Sequence, residues 1–326
     1  METGPIFIGG LDRCGKTLLR GMLVSHPNIS IPTVGSNYWT LFYRRYGDLS
    51  VEANFEKCLN DLMHYTHVQV LKPDVKQIRQ EFSQGRRTYA RLFELLNQQY
   101  AEREGKSRWG DQTGMIEGYA NEIFAAYPGS KMIHVIRDPR DRYEASLALH
   151  PKGRARAGGA TARWIYTTNM AKKNAKRYLD RYLLVYYEKM VTEPEATIKE
   201  VCDFLGENYV PSMITLEGAP EFIRKTPGDL KKNISGTPVY TDFIGRYRNA
   251  IPKAEIAYMQ WVVGSEMRRH GYTLDQISFN LREGINYFFS TIPANFTRMV
   301  TWLVGEFFQR KFPGSFGRRP PKDKIR

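Results

Sequence analysis

At 326 residues, 42% hydrophobic and 13% aromatic, the chain has enough apolar material for one large α/β domain with an appendage, and it contains no run of eighteen apolar residues to span a bilayer. Three cysteines (Cys14, Cys58, Cys202), odd in number and far apart, exclude a disulfide framework or metal cluster; with no basic, apolar leader at the start, the expected compartment is a reducing cytoplasm. The net charge of +14 favours anionic partners, and residues 309–326 hold seven Lys/Arg against one Asp.

Pro5 to Ile8 reads as a buried strand ending in Gly9-Gly10. A helix follows from Gly15 to about Ser25, with Leu18, Leu19, Met22 and Leu23 on one face, and His26-Pro27 stops it. From about Ser36 to Lys106 the chain reads as mainly helical and aromatic-rich (Tyr38, Trp39, Phe42, Tyr43, Tyr46), the expected place of an acceptor cleft, with most of those rings in the core. Ser107 to Asp111 is a short strand or its exit loop, and a helix runs on to about Tyr127. Lys131 to Ile136 is the clearest strand; Pro139 opens a helix to His150, and the Gly- and Arg-rich stretch Pro151 to Gly159 reads as a mobile loop over a site. A helix to about Arg181, a strand from Tyr182 to Tyr187, a helix opened by a capping box Thr192 to Glu195, and a helix from Pro252 to His270 complete the order. This alternation predicts a P-loop-like, doubly wound, mostly parallel α/β sheet with helices on both faces over residues 1–275, plus a C-terminal helical extension over 276–326.

Ligands of such sheets bind at the carboxyl ends of strands. Gly10 to Thr17 matches G-x-x-x-x-G-K-[ST] between a strand and a helix. Glycines let successive N–H groups face one anion, the helix N-terminus adds its positive end, and Arg13 and Lys16 add full charges. By itself the loop also fits an ATP-dependent kinase, with Lys16 on the β/γ-phosphates and Thr17 on magnesium. The second loop differs: Arg137, not a magnesium-binding aspartate, follows strand Lys131 to Ile136. Arginine grips a phosphate monoester bidentately, so the two loops suit a ligand with phosphates at both ends.

Three ordered segments resemble the PAPS-dependent sulfotransferase family, in particular its bacterial carbohydrate-type and tyrosylprotein-type members (PAPS is 3′-phosphoadenosine-5′-phosphosulfate). They are Arg13 to Leu19 followed by His26-Pro27; Arg137 to Asp141; and Tyr186 to Met190 followed by Glu193-Pro194. Gly245 to Arg248 and Gly271-Tyr272 also fit, so the resemblance covers roughly residues 5–272. It implies sulfuryl transfer from PAPS to an acceptor hydroxyl or amine, without a metal. Arg13, Cys14, Gly15, Lys16, Thr17 and Leu18 would cradle the 5′-phosphosulfate, Arg137 and Ser146 would hold the 3′-phosphate, and Tyr187 would edge the adenine. The chain departs from the family's pattern at Lys16, where a threonine is usual, and at Ser146, one place later than the usual serine.

Residues 28–39 carry no carboxylate to deprotonate an acceptor. Asp111, in a segment resembling the family's W-G-D-K-T-P, is therefore the expected base, with His150 in reserve and a helix cap as its plain alternative. Beyond residue 275, Phe296, Met299, Val300, Leu303, Val304, Phe307 and Phe308 form an i, i+3, i+4 stripe before the basic arm. That pattern suits peripheral membrane contact through 281–326, or equally a helix docked on its own domain. No specific nucleic acid is expected; a non-catalytic binder of nucleic acid or membrane, driven by the tail, is the other alternative to an enzyme.

Overall fold

The computed structural model describes residues 4–147, 156–225 and 237–312, with Ser315. Five strands form one sheet: Ile6–Gly9 (β1), Ile29–Ser30 (β2), Arg108–Gln112 (β3), Lys131–Ile136 (β4) and Tyr182–Tyr186 (β5). The order is β2-β3-β1-β4-β5 and every pairing is parallel, with Phe7 between Asp111 and Met132 and Ile136 beside Tyr186. Helices Lys16–Val24 (α1), Pro139–Leu147 (α2), Arg156–Arg177 (α3) and Pro194–Leu205 (α4) connect or cover the strands.

Alternate side chains of each strand enter opposite layers. Ile6, Ile8, Ile133, Val135 and Val185 pack with Leu19, Met22 and Leu23 of α1 and Ile198 and Val201 of α4. Phe7, Met132 and Tyr182 pack on the other face with Leu92, Phe93 and Leu96 of helix Tyr89–Arg103. Burial on both faces is why β1 and most of β4 read as apolar runs. From β1 the chain runs to β2 and β3 on one side and then crosses to β4 and β5 on the other, so the sheet's switch point opens at the carboxyl end of β1.

Three local expectations give way. The 151–159 loop is helical from Arg156, because Gly158 sits where α3 meets the C-terminal helix. A Cβ there would lie 1.9 Å from the Asn295 carbonyl oxygen, so this glycine serves close helix packing and no turn. The Thr192 capping box does not form: a short helix, Tyr187–Thr192, already occupies that stretch, and the Thr192 hydroxyl donates back to the Glu188 carbonyl. Strand β5 ends at Tyr186, leaving Tyr187 in the following turn of helix.

After helix Lys253–Arg269 (α5), the chain forms Leu281–Asn286 (α6), a π-helical turn Tyr287–Thr291, and Ile292–Lys311 (α7). The π turn inserts one residue, so Tyr287 and Ile292, five apart, both pack inward beside Tyr258 and Met259. Helix α7 then lies along α3: Asn295 Oδ1 accepts from the Gly158 N–H at 2.7 Å, and Trp302 meets Tyr166 edge-on. No described helix is long and apolar enough to cross a membrane.

Candidate functional site

The loop from β1 to α1 curls because Gly10, Arg13 and Gly15 all adopt positive φ (111°, 63° and 103°). A Cβ at Gly10 would lie 2.3 Å from the Val135 carbonyl oxygen, and one at Gly15 would lie 2.5 Å from the Tyr187 ring. Arg13 and Thr17 are exposed, while Cys14 and Leu18 are buried and offer the site only their backbone. Burial pushes the Cys14 thiol up, so it packs as a small neutral residue. Lys16 folds over the loop, its Nζ donating to the Gly10 carbonyl at 3.0 Å and to that of Leu11.

Arg137, at the end of β4, joins this loop to the next layer. Its Nη1 donates to the Arg13 carbonyl at 3.0 Å and its Nη2 to that of Phe243 at 2.7 Å. The guanidinium stacks 4.3 Å above the Tyr187 ring, and its Nε is buried without a partner. A buried, unpaired N–H on a cation is costly unless an anion meets it. Tyr187 thus touches both Arg137 and Gly15.

Arg142, one helical turn on, was not singled out by sequence. Its Nε donates to the Asp12 carbonyl at 3.0 Å and its Nη2 to the Asp12 carboxylate, and the Arg142 charge keeps that carboxyl below the usual range despite its burial. Only its place five residues after Arg137 hinted at it. Ser146 turns its hydroxyl back to the Tyr143 carbonyl at 2.7 Å. Arg140 and Asp141 are structural: Arg140 pairs with Asp138 and reaches Gln260 and the Thr273 carbonyl, while Asp141 accepts from the N–H groups of Gly245 and Tyr247.

A buried polar chain supports the loop from beneath. The Thr167 hydroxyl donates to Glu117 Oε1 at 2.6 Å and so accepts from His134 Nε2 at 2.8 Å, leaving His134 Nδ1 to accept from the Tyr182 hydroxyl at 2.6 Å. Burial lowers the His134 pKa, consistent with this neutral tautomer. Glu117 Oε2 accepts the Gly10 N–H at 2.9 Å, so the chain ends on the loop backbone.

Asp111 is not placed as an open base. It is 0% exposed, its Oδ1 accepts from the Ser36 N–H at 3.0 Å, and its Oδ2 accepts from the Thr113 hydroxyl at 2.6 Å. Nor does it cap a helix near Met115; it fixes the turn before helix Tyr38–Leu41, where Asn37 in turn donates its N–H to Thr113. His67 stands beside that turn, its Nδ1 2.9 Å from the Gly35 carbonyl oxygen, and was missed because it lies far away in sequence. His150 lies outside the described residues.

The exit of β3 leads straight to a cleft. The Met115 N–H donates to the Gly10 carbonyl at 3.2 Å, and Met115 lines a small open cavity of about 90 Å³ with Thr40, Tyr43, Tyr119 and Glu122. Glu306, Gln309 and Arg310 of α7 form its far wall, and Arg310 donates to the Tyr166 hydroxyl and the Gly118 carbonyl while stacking over Tyr119. Of the expected aromatic cleft, Tyr38, Trp39 and Phe42 are core; Tyr43 alone among those rings lines this cavity.

Glu188 braces the Arg137 turn, its Oε1 accepting the Asp138 N–H at 2.9 Å and its Oε2 the Tyr272 hydroxyl at 3.1 Å. Burial pushes its carboxyl from 4.5 to about 7. A carboxyl raised on folding contributes stability that is complete below the unfolded value and lost as pH rises through the folded one. Thermal unfolding followed from acid to pH 8 should therefore show a loss of up to about 3 kcal/mol from this group. In Glu188→Gln that slope should be missing; an identical slope in both proteins would assign it elsewhere.

Among the described residues, no group of three or more His, Cys, Asp or Glu is placed to hold a metal ion. Comparison with known proteins points one way. The sulfotransferase family model matches residues 5–211. Sulfotransferases 2A2 and 2A6 of Rattus norvegicus are 29% identical over 102 residues and 30% identical over 104, each match covering 27% of this chain and 35% of the relative. The match thus spans about a third of the length of those curated relatives. The solved sulfotransferase domain of the Synechococcus PCC 7002 olefin synthase shares the fold, with a TM-score of 0.55 at 20% identity over 84% of this chain and 98% of that one. Since the family model takes in well over half of the sequence, both cationic loops included, this protein belongs to the sulfotransferase family.

Proposed function

We propose that the chain transfers a sulfuryl group from PAPS to an acceptor hydroxyl or amine. The observation that carries this reading is the Arg137 Nη1 bond to the Arg13 carbonyl, which joins a phosphate loop to a second cation whose Nε lacks a partner. The residues fit a donor charged at both ends: Arg13 to Leu18 around the 5′-phosphosulfate, Arg137 at the 3′-phosphate with Ser146 on the helix that follows, and Tyr187 along the adenine. PAPS supplies the sulfuryl group and a phosphate leaving group. Lys16, released from the Gly10 and Leu11 carbonyls, would neutralise charge on the transferring oxygens together with Arg13. Asp111 acts through Ser36 and Thr113 on the placing of residues 34–37, as a positioning residue. The cleft beyond Met115 takes the acceptor and holds it in line with the loop.

Thermal unfolding in EDTA tests the reading. PAPS at about a hundred times its Kd should add about 2.7 kcal/mol of stability, a shift of a few degrees, whereas ATP should add little. Magnesium-dependent ATP turnover with no PAPS-induced shift would overturn it in favour of a kinase.

A further inference from the structure

The C-terminal helices have two different faces. Inward, Asn295, Met299, Trp302 and Glu306 of α7 meet α3, α5 and the cleft. Outward, Phe296, Val300, Val304 and Phe307, spaced i, i+4, i+8 and i+11, are all exposed. The structure thus divides the sequence stripe, sending Met299 to the core, half-burying Leu303 and leaving Phe296, Val300, Val304, Phe307 and Phe308 uncovered. On α6 and the π turn, Leu281, Ile285, Phe288 and Phe289 are exposed by 83, 52, 63 and 74%. So long a row of uncovered rings and aliphatic chains marks a contact surface.

We propose that this outer face of α6 and α7 docks on an anionic lipid bilayer, with the helices lying in the interfacial plane. Charge selects this occupant. Arg282, Arg298 and Lys311 are exposed on the same helices, and residues 312–326 add five more Lys/Arg against one Asp. A bilayer rich in acidic headgroups supplies the opposite charge, whereas a second copy of a chain of net charge +14 brings the same sign. The face also lies beyond residue 211, where the match to the family model ends. Helix α7 is about 10–12 Å across, so the cleft on its inner side sits one helix thickness from the headgroups.

Deleting the whole extension would uncover α3, so point variants of the full chain are the cleaner probe. The protein should co-sediment with vesicles of equal parts phosphatidylglycerol and phosphatidylcholine, weakly with phosphatidylcholine alone, and less as salt rises. The double variant Phe289→Asp, Phe307→Asp should lose roughly tenfold or more of that binding. It should keep its melting temperature and its PAPS-induced shift, a readout of the donor site that needs no membrane. Vesicle binding unchanged in the double variant would overturn the proposal. So would absent vesicle binding together with a concentration-dependent dimer, seen by sedimentation velocity, that the double variant abolishes; the face would then belong to a second copy.

Discussion

Lys16→Met should lower single-turnover sulfuryl transfer by roughly 10²–10³-fold at saturating donor, the usual cost of removing one group that stabilises developing charge. The substitution keeps the length and apolar stem of the side chain and removes only the ammonium. In the structure that ammonium lies on the Gly10 and Leu11 carbonyls at the mouth of the loop, a resting position close to where the transferring oxygens would come. Gly10 and Leu11 are buried, but the Gly10 carbonyl keeps the Met115 N–H as a donor, so the cost falls on the Leu11 carbonyl and should stay within about 1–3 kcal/mol of stability. Stopped reactions with a generic phenol or sugar acceptor and labelled donor give the rate; normal turnover would place the reacting group somewhere other than this loop.

Arg137→Ala should weaken PAPS by about 1.5–3 kcal/mol, or roughly 10- to 100-fold in Kd, the typical loss of a charge-assisted contact. The analogue lacking the 3′-phosphate, adenosine 5′-phosphosulfate, should be affected far less. The comparison matters because Arg137 also has structural partners in the Arg13 and Phe243 carbonyls and the Tyr187 ring. Calorimetric titration of both nucleotides separates the roles: equal weakening would make Arg137 a brace for the loop and no reader of the distal phosphate.

Features with a local signature were legible in the sequence. Strand β4, the curled loop between β1 and α1, and the arginine after β4 are each written in a few consecutive residues, and the structure has them at the expected places. What was not legible depends on partners distant in sequence. Arg142 has meaning only beside Asp12, 130 residues away, and the helical start of α3 depends on Asn295 approaching Gly158, 137 residues away. Asp111 read as a base from its neighbours in sequence, yet its environment is set by the turn at Ser36, which fills both of its oxygens together with Thr113. The C-terminal stripe had a helical period, but the period alone could not divide it into the residues that face α3 and those that face outward.

Helix α7 is shared by two regions, its inner side closing the cleft through Glu306, Gln309 and Arg310 and its outer side carrying the exposed rings. Thermodynamic reciprocity then fixes a relation between them. If a molecule in the cleft changes the affinity of the outer face for its surface by some factor, that surface changes the affinity of the cleft for the molecule by the same factor. Acceptors could therefore rank differently for the free protein and for the adsorbed one, with every acceptor contact in the cleft unchanged.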